Sequence, residues 1–538
     1  MKIAQNQVIE LAFVSKKTYE NPYRHVQISM IVEEEGGSRT VPGFWDGGQS
    51  WKIRYSSART GSFRYRTICS DASNPDLHGQ EGRMDITPYT GSNPLYRHGP
   101  VRKSGDNRYL EHEDGKPFFW LADTWWMSLT KRIKWPEEYK EMASDRVNKG
   151  FSVIQIVAGL YPDMHPFDER GANEAGFPWN SDFTEVNPAY FQKADERIAA
   201  LVEDGLMPCL VGSWGFYLDF AGEAAMKRHW DYLIARYGAL PVVWCIAGEA
   251  SMPFYQNPNL GNKEKMAEYE VATRRGWTEV TRYVKERDPY GRMITIHSTQ
   301  YGHKEVDDPS LLDLDMLQTG HSSFTSIPNT ITTIRNSVAR KPRLPAIIAE
   351  VCYEGIGGSS YHDIQRFFFW SSVLSGTCGH TYGANGIWQI NGTDEPYGRS
   401  PYGKSWGNLP WNEAYRLPGS LHVGLGKKLL ERYRWWKFES HPEWVEQHAD
   451  DHRFVASYAA GIPGEVRLIF LPFLEGLLWG GVLVKQIEQD SRYRAYYYDP
   501  ISGEDHDLGK VVPNEQGEWR SGATTAFQDW VLVLEKEA

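Results

Sequence analysis

Two glutamates in this sequence each close a run of apolar residues. Glu249 follows Val242-Val243-Trp244-Cys245-Ile246-Ala247-Gly248, and Glu350 follows Ala346-Ile347-Ile348-Ala349. A carboxyl at the end of a buried strand meets substrate in surroundings that can shift its pKa. Two such groups facing one substrate can divide the work of acetal cleavage: one protonates the leaving oxygen, and the other acts opposite it as nucleophile or base. Further polar or aromatic residues follow comparable apolar runs. They are Asp123 with Trp125 and Trp126, Trp214, His297, Gln318 with His321, and His380 and Tyr382 with Trp388 just beyond. All are expected to contact substrate, the histidines by orienting carboxylates or hydroxyls. Asp123 has an equal alternative in capping the helix that follows it.

These residues converge only if the runs that carry them are strands of one sheet. The strand candidates are Phe118–Asp123, Val153–Val157, Met207–Gly212, Val242–Gly248, Met293–His297, Met316–Thr319, Ala346–Val351 and Thr377–Tyr382. Amphipathic helical runs lie between most of them, including 190–204, 221–237 and 263–287. Eight strands alternating with helices over residues 98–436 predict a (β/α)8 barrel, an α/β fold whose strand ends share one catalytic rim. In that barrel strands four and seven face each other across the mouth, which brings Glu249 and Glu350 to one substrate. A doubly wound sheet is the rival, disfavoured because no Gly-rich phosphate loop follows the first strand. Long loops, 161–183 after strand two and 251–262 after strand four, are expected to wall off a pocket.

The flanks read as all-β. Residues 1–97 hold short strands such as Ile28–Val32 and Trp51–Tyr55, and Phe63–Ile68 alternates apolar and polar at period two, predicting a β-sandwich of immunoglobulin type. Residues 437–538 give strands at Phe454–Tyr458, Glu465–Phe470, Arg494–Tyr498 and Trp530–Leu534, predicting a second sandwich. The two flanks are expected to brace the barrel.

Composition narrows the function classes. A net charge of −11 disfavours a nucleic-acid partner, and no run approaches the ~18 apolar residues of a membrane span. Aromatic residues make up 14% of the chain, in keeping with core packing and with sugar-stacking surfaces alike. The five cysteines show no CxxC spacing, and four lie in apolar runs, so buried thiols are expected. Strand one begins Trp120-Leu121-Ala122-Asp123 without His-x-His, and no His-Glu-x-x-His occurs, so neither metal nor cofactor is expected. The N-terminal residues lack an apolar signal core, which predicts a cytoplasmic location. Subunit contacts leave no motif, so a homo-oligomer stays open.

At several places the sequence resembles the apiosidase-like barrel of glycoside hydrolase family 140 and its relatives. The resemblance rests on Trp120-Leu121-Ala122-Asp123-Thr124-Trp125-Trp126, on Phe369-Trp370-Ser371-Ser372 running into Gly379-His380-Thr381-Tyr382-Gly383-Ala384-Asn385-Gly386-Ile387-Trp388, and on the segment 406–430. The segments Phe44-Trp45-Asp46-Gly47 and 59–65 resemble the β-sandwich that precedes such barrels. Tyr498-Asp499-Pro500-Ile501-Ser502-Gly503 and Asp529–Leu534 resemble the C-terminal β domain labelled collagen-binding. The resemblance implies that Glu249 is the acid/base and Glu350 the nucleophile. Two departures stand out. Gly248 replaces the Asn that precedes the acid in many retaining barrels, and Glu249 replaces the Asp of the apiosidase pattern, so the sugar need not be apiose.

The expected activity is retaining, exo-acting hydrolysis of a terminal pentose or furanose from plant or microbial oligosaccharides or glycosides. The alternatives are a hexose or galactofuranose in the same fold, or a non-catalytic carbohydrate- or matrix-binding protein.

Overall fold

In the computed structural model, which describes residues 1–473 and 480–537, the apolar runs of the middle third pair side by side. Val153-Ile154-Gln155-Ile156-Val157 is typical: β-branched residues predominate, none is charged, and all five are buried. Residues of that kind favour a strand covered on both faces. The strands are β1 (Trp120–Thr124), β2 (Val153–Val157), β3 (Met207–Val211), β4 (Val243–Cys245), β5 (Ile294–Thr295), β6 (Asp315–Gln318), β7 (Ala346–Glu350) and β8 (Gly379–Tyr382). They form one parallel sheet in the order β5-β4-β3-β2-β1-β8-β7-β6. Across the seam between β5 and β6, the Thr295 hydroxyl donates to the Leu314 carbonyl at 2.8 Å and the Ser298 hydroxyl to the Met316 carbonyl at 2.9 Å. The sheet thus curls into a TIM barrel.

The helices follow from local chemistry. Helix α1 (Glu137–Asn148) comes after β1, and α2 (Pro188–Glu203) begins with proline, whose fixed φ suits a first helical turn. Helix α3 (Glu223–Tyr237) is shorter than the sequence suggests, because Gly222 at φ 78° separates it from a single turn, Tyr217–Ala221. Helix α4 (Lys263–Arg287) is capped by the Asn262 side chain, with Lys285 and Arg287 in its last turn where cations are favoured. Helices α5 (Ile327–Ala339), α6 (His362–Leu374) and α7 (Pro418–Leu430) complete the outer layer.

Sheets that are antiparallel, apart from the parallel pairing of Lys2–Ala4 with Glu81–Thr87, flank the barrel at both ends of the chain. At the N-terminus a five-stranded sheet packs against a three-stranded one around Met30, Val32, Trp51 and Ile53. Its junction with α2 and α3 holds a buried ionic network in which Arg236 pairs with Asp46 at 2.9 Å and Asp195 at 2.8 Å, and Arg54 also reaches Asp195. At the C-terminus a six-stranded sheet lies on α6, where Phe470 stacks on Trp370 and Arg366 pairs with Asp529 at 2.8 Å. One C-terminal strand begins later than expected. A hairpin turn with Gly464 at φ 75° sets the pairing of Tyr458–Ile462 with Val466–Leu471, so residues 454–457 precede the strand. The five cysteines are free and buried, and among the described residues no helix is long and apolar enough to cross a membrane.

Candidate active site

Beyond β4 the chain turns through Gly248 into Glu249, whose φ of 43° is a left-handed conformation uncommon for a side-chain-bearing residue. Backbone bonds hold the turn: Gly248 N–H to the Ser213 carbonyl at 2.9 Å, Gly215 N–H to the Gly248 carbonyl at 2.7 Å, and Ala250 N–H to the His297 carbonyl at 3.2 Å. Position 248 has no room for a side chain, since a Cβ there would lie 2.3 Å from Cε3 of Trp214. The indole thus explains why glycine, and not asparagine, precedes Glu249. The same indole donates its N–H to Glu249 Oε2 at 3.1 Å.

Glu350 is the last residue of β7 and is buried. His321 Nε2 meets its Oε1 at 2.8 Å, and His297 Nε2 lies 3.3 Å from its Oε2. Gln318, at the end of β6, joins the two carboxylates through one amide nitrogen. Its Nε2 donates to Glu249 Oε1 at 2.8 Å and reaches Glu350 Oε1 at 3.4 Å. The two Oε1 atoms are therefore no further apart than those two lengths laid end to end.

The two carboxyls differ in their electrostatics. Burial and the neighbouring Glu350 charge push Glu249 above the usual carboxylate range, against the Gln318 hydrogen bond. Burial also pushes Glu350 up, but the His297 and His321 imidazoles outweigh it and bring its carboxyl down to about 2. His297 is raised in turn, because Glu350 outweighs the effect of its burial. One carboxyl shifted toward its acid form beside one shifted toward its carboxylate form is the kind of pairing that lets two carboxyls take different roles.

Glu249 and Glu350 line a pocket of about 200 Å³ together with Trp126, Trp214, His321 and Trp388. Gln318 and His297 support it through the carboxylates. Four expected contacts lie elsewhere. Asp123 is fully buried, pairs with Arg146 of α1 at 2.6 Å and accepts from the Trp125 indole at 2.8 Å. Trp125 packs edge-on against Tyr139 of α1. His380 packs against Phe369 of α6, and Tyr382 donates to Glu354 at 2.5 Å. The side chains at 123, 380 and 382 contact the helix layer and its adjoining loops, so their expected substrate contacts are corrected to structural ones. The reason is strand alternation, which turns neighbouring side chains to opposite faces.

Several pocket residues were not anticipated. Tyr353 accepts from the Trp126 indole at 3.1 Å and stacks between His321 and Trp388. Asp163, Tyr255 and Trp406 line the outer wall. The first two lie in loops already marked as pocket walls, which was the only sequence signal for them.

The pattern of the family described as "Apiosidase-like, catalytic domain" matches residues 104–437, more than half of the chain. The chain belongs to the apiosidase-like family. Its barrel, with a carboxyl pair at the mouth, is that of a glycosidase acting on a carbohydrate. A domain of unknown function, DUF5060, matches residues 2–70. Among solved structures, a putative glycoside hydrolase from Bacteroides vulgatus superposes with a TM-score of 0.71 at 18% identity, covering 100% of each chain. A glycoside hydrolase of family 5 from the same organism gives 0.67 at 20% identity, covering 82% of this apiosidase-like chain and 94% of the other. A third, described as a glycoside hydrolase, gives 0.65 at 21%, covering 83% and 98%. At these identities the superpositions establish the shared fold. No curated protein matches the sequence.

Proposed function

We propose that this protein is a retaining, exo-acting glycosidase that removes a terminal neutral pentose or furanose from an oligosaccharide or glycoside, with Glu350 as nucleophile and Glu249 as acid/base. The observation that carries the mechanism is the shared Gln318 amide. Its two contacts, 2.8 Å and 3.4 Å, keep the Oε1 atoms below the ~6.5 Å separation at which inverting enzymes begin to admit a water. Glu350, ionised, attacks the anomeric carbon while Glu249 protonates the departing oxygen. Forming the glycosyl ester removes the Glu350 charge, which removes one cause of the raised Glu249 pKa. Glu249 then ionises readily and takes the proton of the water that cleaves the ester.

The exo mode rests on the walls. Pro162 from the loop after β2 and Met252 from the loop after β4, with Ile356 and Trp388, enclose a small volume. Aromatic rings dominate the lining, and among the described residues no Lys or Arg lines it, which suits a neutral sugar. The test is a panel of p-nitrophenyl pentosides, furanosides and hexosides with wild type, Glu249→Gln and Glu350→Gln. Release from a pentoside or furanoside, lost in Glu350→Gln and strongly reduced in Glu249→Gln, is expected. Turnover that survives both substitutions contradicts the mechanism, and release from a hexoside alone contradicts the sugar class.

A further inference from the structure

The outer wall of the pocket contains a third carboxyl. Asp163 is 4% exposed, and its φ of 57° is left-handed. The Trp406 indole donates to its Oδ2 at 2.9 Å, and its own N–H donates to the Tyr255 hydroxyl at 3.0 Å. Oδ1 takes no hydrogen bond among the described residues. Burial, with a contribution from the Glu249 charge, raises this carboxyl to about 7, against the Trp406 hydrogen bond and Arg170.

Tying the loops together does not account for Asp163. Arg170, in the same loop, already makes that link by donating to the carbonyls of Tyr397 and Arg399 at 3.2 Å and 3.0 Å, and it is itself paired with Asp168 at 2.8 Å. Although the residue is buried, Oδ1 is not among the side-chain oxygens closed off without a partner, so it faces the pocket and can accept from a donor that enters there. Trp406 adds a complementary feature. Its N–H is fixed by Asp163, and 40% of the residue remains exposed at the pocket wall. A half-exposed indole held at one edge offers a flat apolar face. Asp163 N–H meets the hydroxyl of Tyr255, which lies on the same loop after β4 as Glu249, and this sets the feature beside the acid/base, on the side where the leaving group departs.

We propose that Asp163 and Trp406 form a leaving-group subsite for a second sugar, its ring on the indole and one hydroxyl on Asp163 Oδ1. The substrate class is then a glycan and not the glycoside of a small alcohol. This inference rests on the assignment of Glu249 as acid/base and Glu350 as nucleophile.

Transglycosylation tests it. The glycosyl fluoride of the sugar released in the chromogenic panel loads Glu350, and free glucose, galactose, xylose or rhamnose is added as acceptor. In transfer, the Glu350 ester bond to the anomeric carbon breaks, the acceptor oxygen bonds to that carbon, and its proton passes to Glu249. The readout is the ratio of transfer to hydrolysis from the common ester, which is independent of how fast the ester forms. Wild type is expected to form disaccharide with at least one acceptor. The ratio should fall roughly tenfold in Trp406→Ala and in Asp163→Asn, about the worth of one ring contact or one hydrogen bond, and recover in part in Trp406→Phe. An unchanged ratio in Trp406→Ala and Asp163→Asn overturns the subsite, as does hydrolysis without transfer in wild type. A wild-type enzyme inert on every fluoride and every chromogenic glycoside overturns the glycosidase mechanism, and the subsite with it.

Discussion

Replacing Gly248 with alanine is expected to damage the acid without touching it. The added Cβ would sit 2.3 Å from Cε3 and 2.4 Å from Cζ3 of Trp214, where carbon atoms need ~3.5–4.0 Å. The indole must therefore move by about 1 Å. It has little space to do so, because Trp126 lies edge-on at 5.4 Å between ring centres and His297 at 6.1 Å. Overpacking of this kind costs ~1–3 kcal/mol of stability. The displaced indole also withdraws its N–H from Glu249 Oε2, and a misplacement of ~1 Å in a catalytic group can cost up to ~100-fold in rate. A fall of roughly 10–100-fold in kcat/KM is expected for Gly248→Ala. Trp214→Phe lacks the outer part of the indole, so the alanine should cost less in that background, with a coupling of ~1–3 kcal/mol. The assay is kcat/KM on the best chromogenic glycoside, beside urea unfolding of all four proteins. Wild-type kinetics in Gly248→Ala, or strict additivity in the cycle, refutes the reasoning.

Other consequences follow from the charges. The free enzyme works with Glu249 protonated, so kcat/KM should fall as pH rises through its elevated pKa. The acid limb belongs to Glu350, at about 2, and removing one imidazole in His321→Ala should move that limb upward; an unmoved limb contradicts the assignment. Burial holds the Asp163 carboxyl at about 7 in the folded protein against the ordinary 3.8, so its burial costs stability progressively as pH rises between those values. Asp163→Asn should therefore match wild type in melting temperature near about pH 4 and exceed it near about pH 8, and a constant difference would contradict this. Asp529→Ala leaves Arg366 of α6 charged and buried without its partner, which should cost ~3–5 kcal/mol in urea unfolding; a loss below ~1 kcal/mol would show that the C-terminal sheet does not brace the barrel there.

The barrel was legible because its strands are short uncharged runs spaced by amphipathic helices, and β2 and α4 span the residues that their apolar patterns mark. The carboxyl pair was legible for the same reason, since Glu249 and Glu350 are the charges that end such runs at β4 and β7. Legibility stopped at side-chain direction. Asp123 is the penultimate residue of β1, much as Glu350 is the last of β7, yet Arg146, twenty-three residues on, draws it into the helix layer. Nothing in the spacing reveals that contact. Asp163 and Trp406 meet across a sequence separation of 243 residues, on loops whose length was readable but whose path was not. The Gly248 departure was visible in the sequence, but its cause, the Trp214 ring, required coordinates.

The most direct test of the central claim is to trap the intermediate. A 2-deoxy-2-fluoro glycoside of the preferred sugar with a dinitrophenyl leaving group should load the enzyme faster than water releases it. Mass spectrometry is then predicted to find one fluorosugar per chain, on the peptide that contains Glu350. A label on any other residue, or turnover with no adduct and a product of inverted anomeric configuration, would contradict the account.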